Sequence, residues 1–199
     1  MYRATIRRMS NSRQFSLSRI RRASRFLRWL FLAVAIVLAP LRVVGWLIYD
    51  QHVPIDEQVF LYGLSASVDP DVLTHQVDLQ QRLWAMAASA LPTAFCVASF
   101  VTLAHLFHLY AQGQIFTARV VATIRRLGFL IVGVQFADMI YQALCSIALT
   151  MHNGVGHRMV VVGFGSNHVE LLLVAAIVIF SSWVMDEGRR MQAELDLTI

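Results

Sequence analysis

Four apolar stretches, near Trp29–Tyr49, Trp84–Tyr110, Leu127–Met151 and Val169–Met185, constrain this chain more than any other feature. Each approaches or exceeds the roughly 20 residues that an α-helix needs to cross a hydrocarbon layer about 30 Å thick. Inside hydrocarbon every backbone amide must be satisfied within the protein, so the stretches read as helices packed against one another. The expected fold is all-α, a polytopic membrane protein with four transmembrane helices in an antiparallel bundle. Composition points the same way, because 57% hydrophobic and 15% charged residues leave too little polar surface to clothe a soluble globule of this length.

A net charge of +5 would suggest a nucleic-acid partner in a soluble chain; here its distribution speaks of topology instead. Every basic residue is Arg. Nine of them, from Arg3 to Arg28, precede the first stretch without one acidic residue, which by the positive-inside rule puts the N-terminus in the cytoplasm. The segment between the first two stretches carries Asp50, Asp56, Glu57, Asp69, Asp71 and Asp78 and belongs outside. Arg119, Arg125 and Arg126 hold the next connection inside, and Arg189 and Arg190 hold the tail inside. The organisation expected is an Arg-rich cytoplasmic segment over 1–28, a four-span domain over 29–185 and a cytoplasmic tail over 186–199, in a bacterial cytoplasmic membrane. Arg21-Arg22 ahead of an apolar run invites a twin-arginine signal reading, but the run is too long and lacks a small-residue cleavage site. Phe15, Leu17, Ile20, Ala23 and Leu27 among the Arg suit a helix lying on anionic lipid, while the Ser-rich first dozen residues equally suit disorder. Asp69-Pro70 reads as the start of a short helix leading into the second stretch.

Two strings stand apart. Leu109-Tyr110-Ala111-Gln112-Gly113-Gln114-Ile115-Phe116-Thr117 leads on to Ile124-Arg125-Arg126-Leu127-Gly128, and the chain ends Glu194-Leu195-Asp196-Leu197-Thr198-Ile199. Gly113 suits the C-terminal cap of the second helix, Thr117 suits the N-cap of the third, and Phe116 suits a hydrophobic staple. Together these strings resemble the bacterial membrane family catalogued as domain of unknown function 2975, over about Trp84–Ile199. That resemblance implies four spans, no assigned reaction, and frequent genomic association with a small Cro-like helix-turn-helix regulator, which makes such a regulator the candidate soluble partner. The inner residues Gly113, Phe116, Thr117, Arg125 and Arg126, with Leu195, Asp196, Leu197 and Thr198 of the tail, are the expected docking face. The tail reads as a partner-binding peptide rather than a packed element.

The remaining candidates are ionisable residues at membrane depth. Counted at 1.5 Å per residue from the inner edge, Arg42 lies about 21 Å deep, Asp138 about 18 Å and Glu170 about 24 Å. A charge at such depth faces the bundle interior or a wet cavity and finds a partner. Arg42 with Asp138, joined by Glu170, is the expected pairing. Gln135, Asp138 and Gln142 share one helical face with Tyr141 beside them, so that stripe should point inward. Such a group either binds a cation, a proton or a small polar ligand, or only fixes helix register. His105 and His108 read as an interfacial or packed pair, and His152, His157 and His168 as a loop cluster without metal-ligand spacing. Cys96 and Cys145 read as small packing residues. No nucleophile elbow, phosphate loop or zinc signature is present. Neither an enzyme nor a cofactor, a bound metal or direct nucleic-acid binding is expected. The expected partners are the lipid bilayer and a cytoplasmic protein, with self-association left open. Two functions follow: a regulatory or interaction protein docking a soluble partner on its inner face, or a small transporter or channel-like module using Arg42, Asp138 and Glu170.

Overall fold

A computed structural model describes residues 2–48, 77–114, 117–154 and 156–197, with side chains described from Arg21 to Glu194 within them. Four helices result: α1 (Tyr2–Ile48), α2 (Leu79–Ala111), α3 (Ala118–Thr150) and α4 (Ser166–Leu197). All four contain stretches long and apolar enough to cross a membrane. The protein is therefore a multi-pass, all-helical membrane protein. The helices outrun the apolar stretches at nearly every end. The Arg-rich segment is neither a separate surface helix nor irregular, since α1 is helical from Tyr2 onward. The tail likewise continues α4 to Leu197 rather than forming a loose peptide.

Cap chemistry sets several boundaries. Asp78 begins α2 through a reciprocal capping box, in which its carboxylate accepts from Leu79 N at 2.7 Å and Gln81 Oε1 accepts from Asp78 N at 2.9 Å. Gly113 adopts φ +83° just beyond the end of α2, the left-handed conformation that glycine adopts without Cβ strain. Thr117, extended at φ −106° and ψ 154°, accepts from Val120 N and begins α3. Both caps of the α2–α3 turn thus fall where the sequence puts them; the end of the bundle holding this turn is labelled inner and the opposite end outer, as names for the two ends only. Phe116, Thr198 and Ile199 lie outside the described residues, as does the short helix expected after Asp69.

Packing follows chain order, each helix lying against the next, antiparallel. Arg28 near the inner end of the α1 span meets His108 of α2 at 3.0 Å, and Arg82 at the other end donates to Leu47 O at 3.0 Å, covering a carbonyl in the last turn of α1. Between these points Phe31 stacks on Phe100 and Phe107. α2 and α3 form the central hairpin, tied at its outer end by Gln81 Nε2 donating to Leu149 O at 2.8 Å. Trp46, Ala85, Tyr141, Cys145 and Leu149 close the outer core, and Leu106, Leu109 and Val120 the inner one, with Met185 of α4 against them. Both cysteines are free, and Cys145 is fully buried in this packing.

α3 and α4 approach closely at Gly128, where a Cβ would stand 2.5 Å from Ile179 Cγ1 and 3.3 Å from Ala175 O. Serine and threonine hydroxyls in the spans donate back to their own helices, as Thr93 to Ser89 O and Thr102 to Ala98 O. Satisfied in this way, they can sit at membrane depth.

Candidate functional site

The polar centre of the protein is built where α4 begins. α4 does not start level with the outer end of α3. Its third residue, His168, lies beside Asp138, about 18 Å down the helix from Thr150 at 1.5 Å per residue. Residues 157–165 therefore run back along the outer part of α3, and hydrogen bonds hold them there. Met159 N meets Thr150 Oγ1 at 3.3 Å, Val161 N donates to Ser146 Oγ at 2.9 Å, and Gly163 N donates to Gln142 Oε1 at 2.9 Å. Alternate residues of this strap answer every fourth residue of the helix. The match is metric: four helical residues rise about 6 Å and two extended residues span about 6.6 Å. Non-helical backbone at this level survives because α3 side chains take up its amides.

The last rungs converge on Asp138. Its Oδ2 accepts from Gln142 Nε2 at 2.8 Å and from His168 Nε2 at 3.3 Å. Gly165 N donates to His168 Nδ1 at 3.3 Å, so in the neutral ring the proton sits on Nε2, where it is donated to Asp138. Phe164 stacks on the same imidazole with ring centroids 5.7 Å apart. Gln142 joins both halves, donating to Asp138 and accepting from the strap. As the sequence suggests, Gln135 and Gln142 are buried and their stripe faces inward.

A family model described as "Protein of unknown function (DUF2975)" matches residues 50–199, three quarters of the chain. The chain belongs to that family. Neither a curated protein nor a solved structure matches it. The match covers the strap and the Asp138–His168–Gln142 centre and excludes α1. Arg42 and the Arg-rich segment lie outside the matched residues.

The expected pairing of Arg42 with Asp138 and Glu170 is corrected. Among the described residues Arg42 and Asp138 form no ion pair, and the partners of the Asp138 carboxylate are His168 and Gln142. Matching depth did not match direction. α4 begins beside Asp138 and brings His168 to it first. Arg42 and Asp138 each act electrostatically on Cys96 of α2 and Tyr141 of α3. The Arg42 Nε and Nη1 are buried with no hydrogen-bond acceptor among the described residues. Glu170 is exposed, two residues along the helix from buried His168 and so on a different face.

The expected histidine cluster also separates. His152 and His157 are exposed in the connection, whereas His168 is buried, 9% exposed, in the centre. Sequence reasoning missed His168, Ser146 and Thr150. The signal was present in Gln142-x3-Ser146-x3-Thr150, a polar i, i+4, i+8 row continuing the stripe that begins at Gln135. His105 and His108 divide too, His108 bonding Arg28 and Gln112 while His105 is exposed. Among the described residues no group of three metal-ligating side chains forms. Of the inner docking residues, Gly113 and Thr117 shape the α2–α3 turn, and Arg125 and Arg126 are exposed beside it.

Proposed function

We propose that this is a regulatory or interaction protein of the bacterial cytoplasmic membrane, with both termini in the cytoplasm, whose inner face docks a soluble partner. The observation carrying this reading is that both chain ends continue as helix past the turn between α2 and α3. Arg21 already lies against that turn, its Nη2 3.5 Å from where a Cβ of Gly113 would stand, yet α1 extends back to Tyr2, about 28 Å further. Met185 packs on the inner core, and α4 extends about 18 Å beyond it to Leu197. Asp186 pairs with Arg189 and Arg190 within this extension, and Met191 stands 59% exposed on it. A helix carrying its own ion pairs and an open apolar residue suits a protein partner. The resemblance noted from the sequence makes a helix-turn-helix regulator the class to look for.

Cross-linking and pull-down from native membranes test this reading, comparing the full chain with one lacking Glu194–Ile199. Insertion should persist and partner recovery should vanish. Equal recovery rejects docking through the tail. Orientation is tested separately by Ser65→Cys in a background without Cys96 and Cys145: an impermeant thiol reagent should label intact cells, and labelling only after lysis overturns the topology.

One observation favours a second reading, a small transporter or channel-like module: the buried Arg42 nitrogens that have no acceptor among the described residues. Arg42→Gln and Asp138→Asn would then abolish solute or proton flux in proteoliposomes while leaving partner recovery intact. Flux unchanged in both variants removes this reading.

A further inference from the structure

An open groove of about 710 Å³ runs along the seam between α2 and α3 on their inner half. Ala94, Ala98 and Val101 floor its deep part, and His105, Thr123 and Arg126 line its other end, toward the inner turn. We infer that this groove holds one anionic phospholipid, with an acyl chain along the small residues and the phosphate on Arg126 and His105.

Length argues for a lipid. Ala94 to His105 is eleven residues of helix, a rise of about 16 Å, which is half of a ~30 Å hydrocarbon layer and so the depth of one leaflet. The volume also falls within the roughly 300–1,000 Å³ typical of small-molecule sites. Polarity is arranged as in a lipid, apolar toward the membrane centre and cationic toward its surface. Charge gives the sign of the headgroup. No acidic residue occurs between Asp78 and Asp138, and among the described residues Arg119, Arg125 and Arg126 form no ion pair. Arg126 and His105 are both exposed and make no ion pair or hydrogen bond among the described residues. The Thr123 hydroxyl is already committed to Arg119 O at 2.7 Å, which leaves those two side chains as the phosphate partners. Basic pockets between spans are established binding places for anionic headgroups.

The outer half of the same seam supplies a contrast. There a groove of about 380 Å³ is lined by Trp84, Ala88, Leu144 and Met151 among other apolar residues, with no charged group. It offers nothing to a phosphate.

The test uses the purified full chain in neutral detergent with three additions: phosphatidylglycerol, phosphatidylcholine with the same acyl chains, and inorganic phosphate. Phosphatidylglycerol alone should raise the melting temperature and be retained in native mass spectra. Arg126→Gln should weaken that retention about fivefold, the factor one Arg near an anionic surface supplies. Arg119→Gln, outside the groove lining, should leave it unchanged. Ala98→Leu should block the chain without touching the cationic end. If that variant does not insert, phosphatidylglycerol with a photoreactive acyl chain should label α2 between Ala94 and Val101 in the unaltered protein. Equal effects of the two lipids, reproduction by inorganic phosphate, indifference to Arg126→Gln or labelling confined to α1 and α4 would each overturn the inference. None of these outcomes depends on the soluble partner.

Discussion

Replacing Gly128 with Ala sets two known effects against each other at one atom. In a helix interior, alanine is favoured over glycine by about 1 kcal/mol because it restricts the unfolded chain. Here the added Cβ would stand 2.5 Å from Ile179 Cγ1, where carbon atoms settle at about 3.5–4.0 Å. Rotation of Ile179 relieves part of that overlap, but the Cβ also stands 3.3 Å from the backbone oxygen of Ala175, which cannot rotate away. Overpacking of this kind costs about 1–3 kcal/mol. The net expectation is destabilisation of about 1 kcal/mol, with α4 displaced from α3. Gly188→Ala is the internal control, since nothing lies within 4 Å of its Cβ, and it should stabilise by about 0.5–1 kcal/mol. Unfolding in mixed micelles followed by circular dichroism reads both. Adding Ile179→Val to Gly128→Ala removes the terminal Cδ1 methyl and gives the remaining side chain more room, so it should recover part of the loss. If Gly128→Ala stabilises as much as Gly188→Ala, α3 and α4 do not approach as described and the packing argument fails.

Three further outcomes follow from the strap and the caps. Ser146→Ala strands Val161 N and should cost about 1–3 kcal/mol, together with faster proteolysis between His157 and Gly163; unchanged cleavage would mean the rung carries no restraint. In a double-mutant cycle, Asp138→Ala and His168→Ala should couple by up to about 1.7 kcal/mol, the upper end for polar contacts between membrane helices, whereas Arg42→Ala and Asp138→Ala should be more nearly additive. Asp78→Ala removes the α2 cap and should cost about 1 kcal/mol, read by the same unfolding assay, with Asp78→Asn retaining most of the stability.

Much of the fold was legible because single residues sufficed to indicate it. Apolar runs mark the spans, Gly113 and Thr117 bracket the inner turn, and Gln135 and Gln142 lie on one helical face whatever the tertiary arrangement. The strap was not legible, and the reason is physical. A chain passing through Val160-Val161-Val162-Gly163 has no partner of its own and becomes ordered only against a row of donors and acceptors some fifteen residues earlier. Recognising it requires pairing a two-residue period with a four-residue one. That omission produced the error over Asp138. With α4 assumed to begin at the outer edge near Val169, His168 fell among loop residues and Arg42 became the nearest charge of opposite sign. Depth can be counted along a helix, but azimuth depends on what packs beside it.

The strap also changes how the buried polar residues should be weighed. Five side chains spread over about 18 Å of α3 and the start of α4, Asp138, Gln142, Ser146, Thr150 and His168, would look like a pathway if read as a list of polar residues inside a membrane protein. Their bonds have another explanation. Three of them take up backbone amides of residues 159–163 that hydrocarbon would leave unsatisfied, a fourth receives Gln142 and His168, and the fifth carries the first turn of α4. A transport path needs groups that exchange partners as cargo moves, whereas these hold the connection that lets α4 begin partway down α3. Arg42 is the exception, because its Nε and Nη1 are buried without an acceptor among the described residues and support no such connection. It also lies in α1, outside the family match. If this protein moves or binds a small polar species at membrane depth, that chemistry belongs to Arg42 and the space beside it, and Arg42→Gln should remove it while the strap and the start of α4 remain in place.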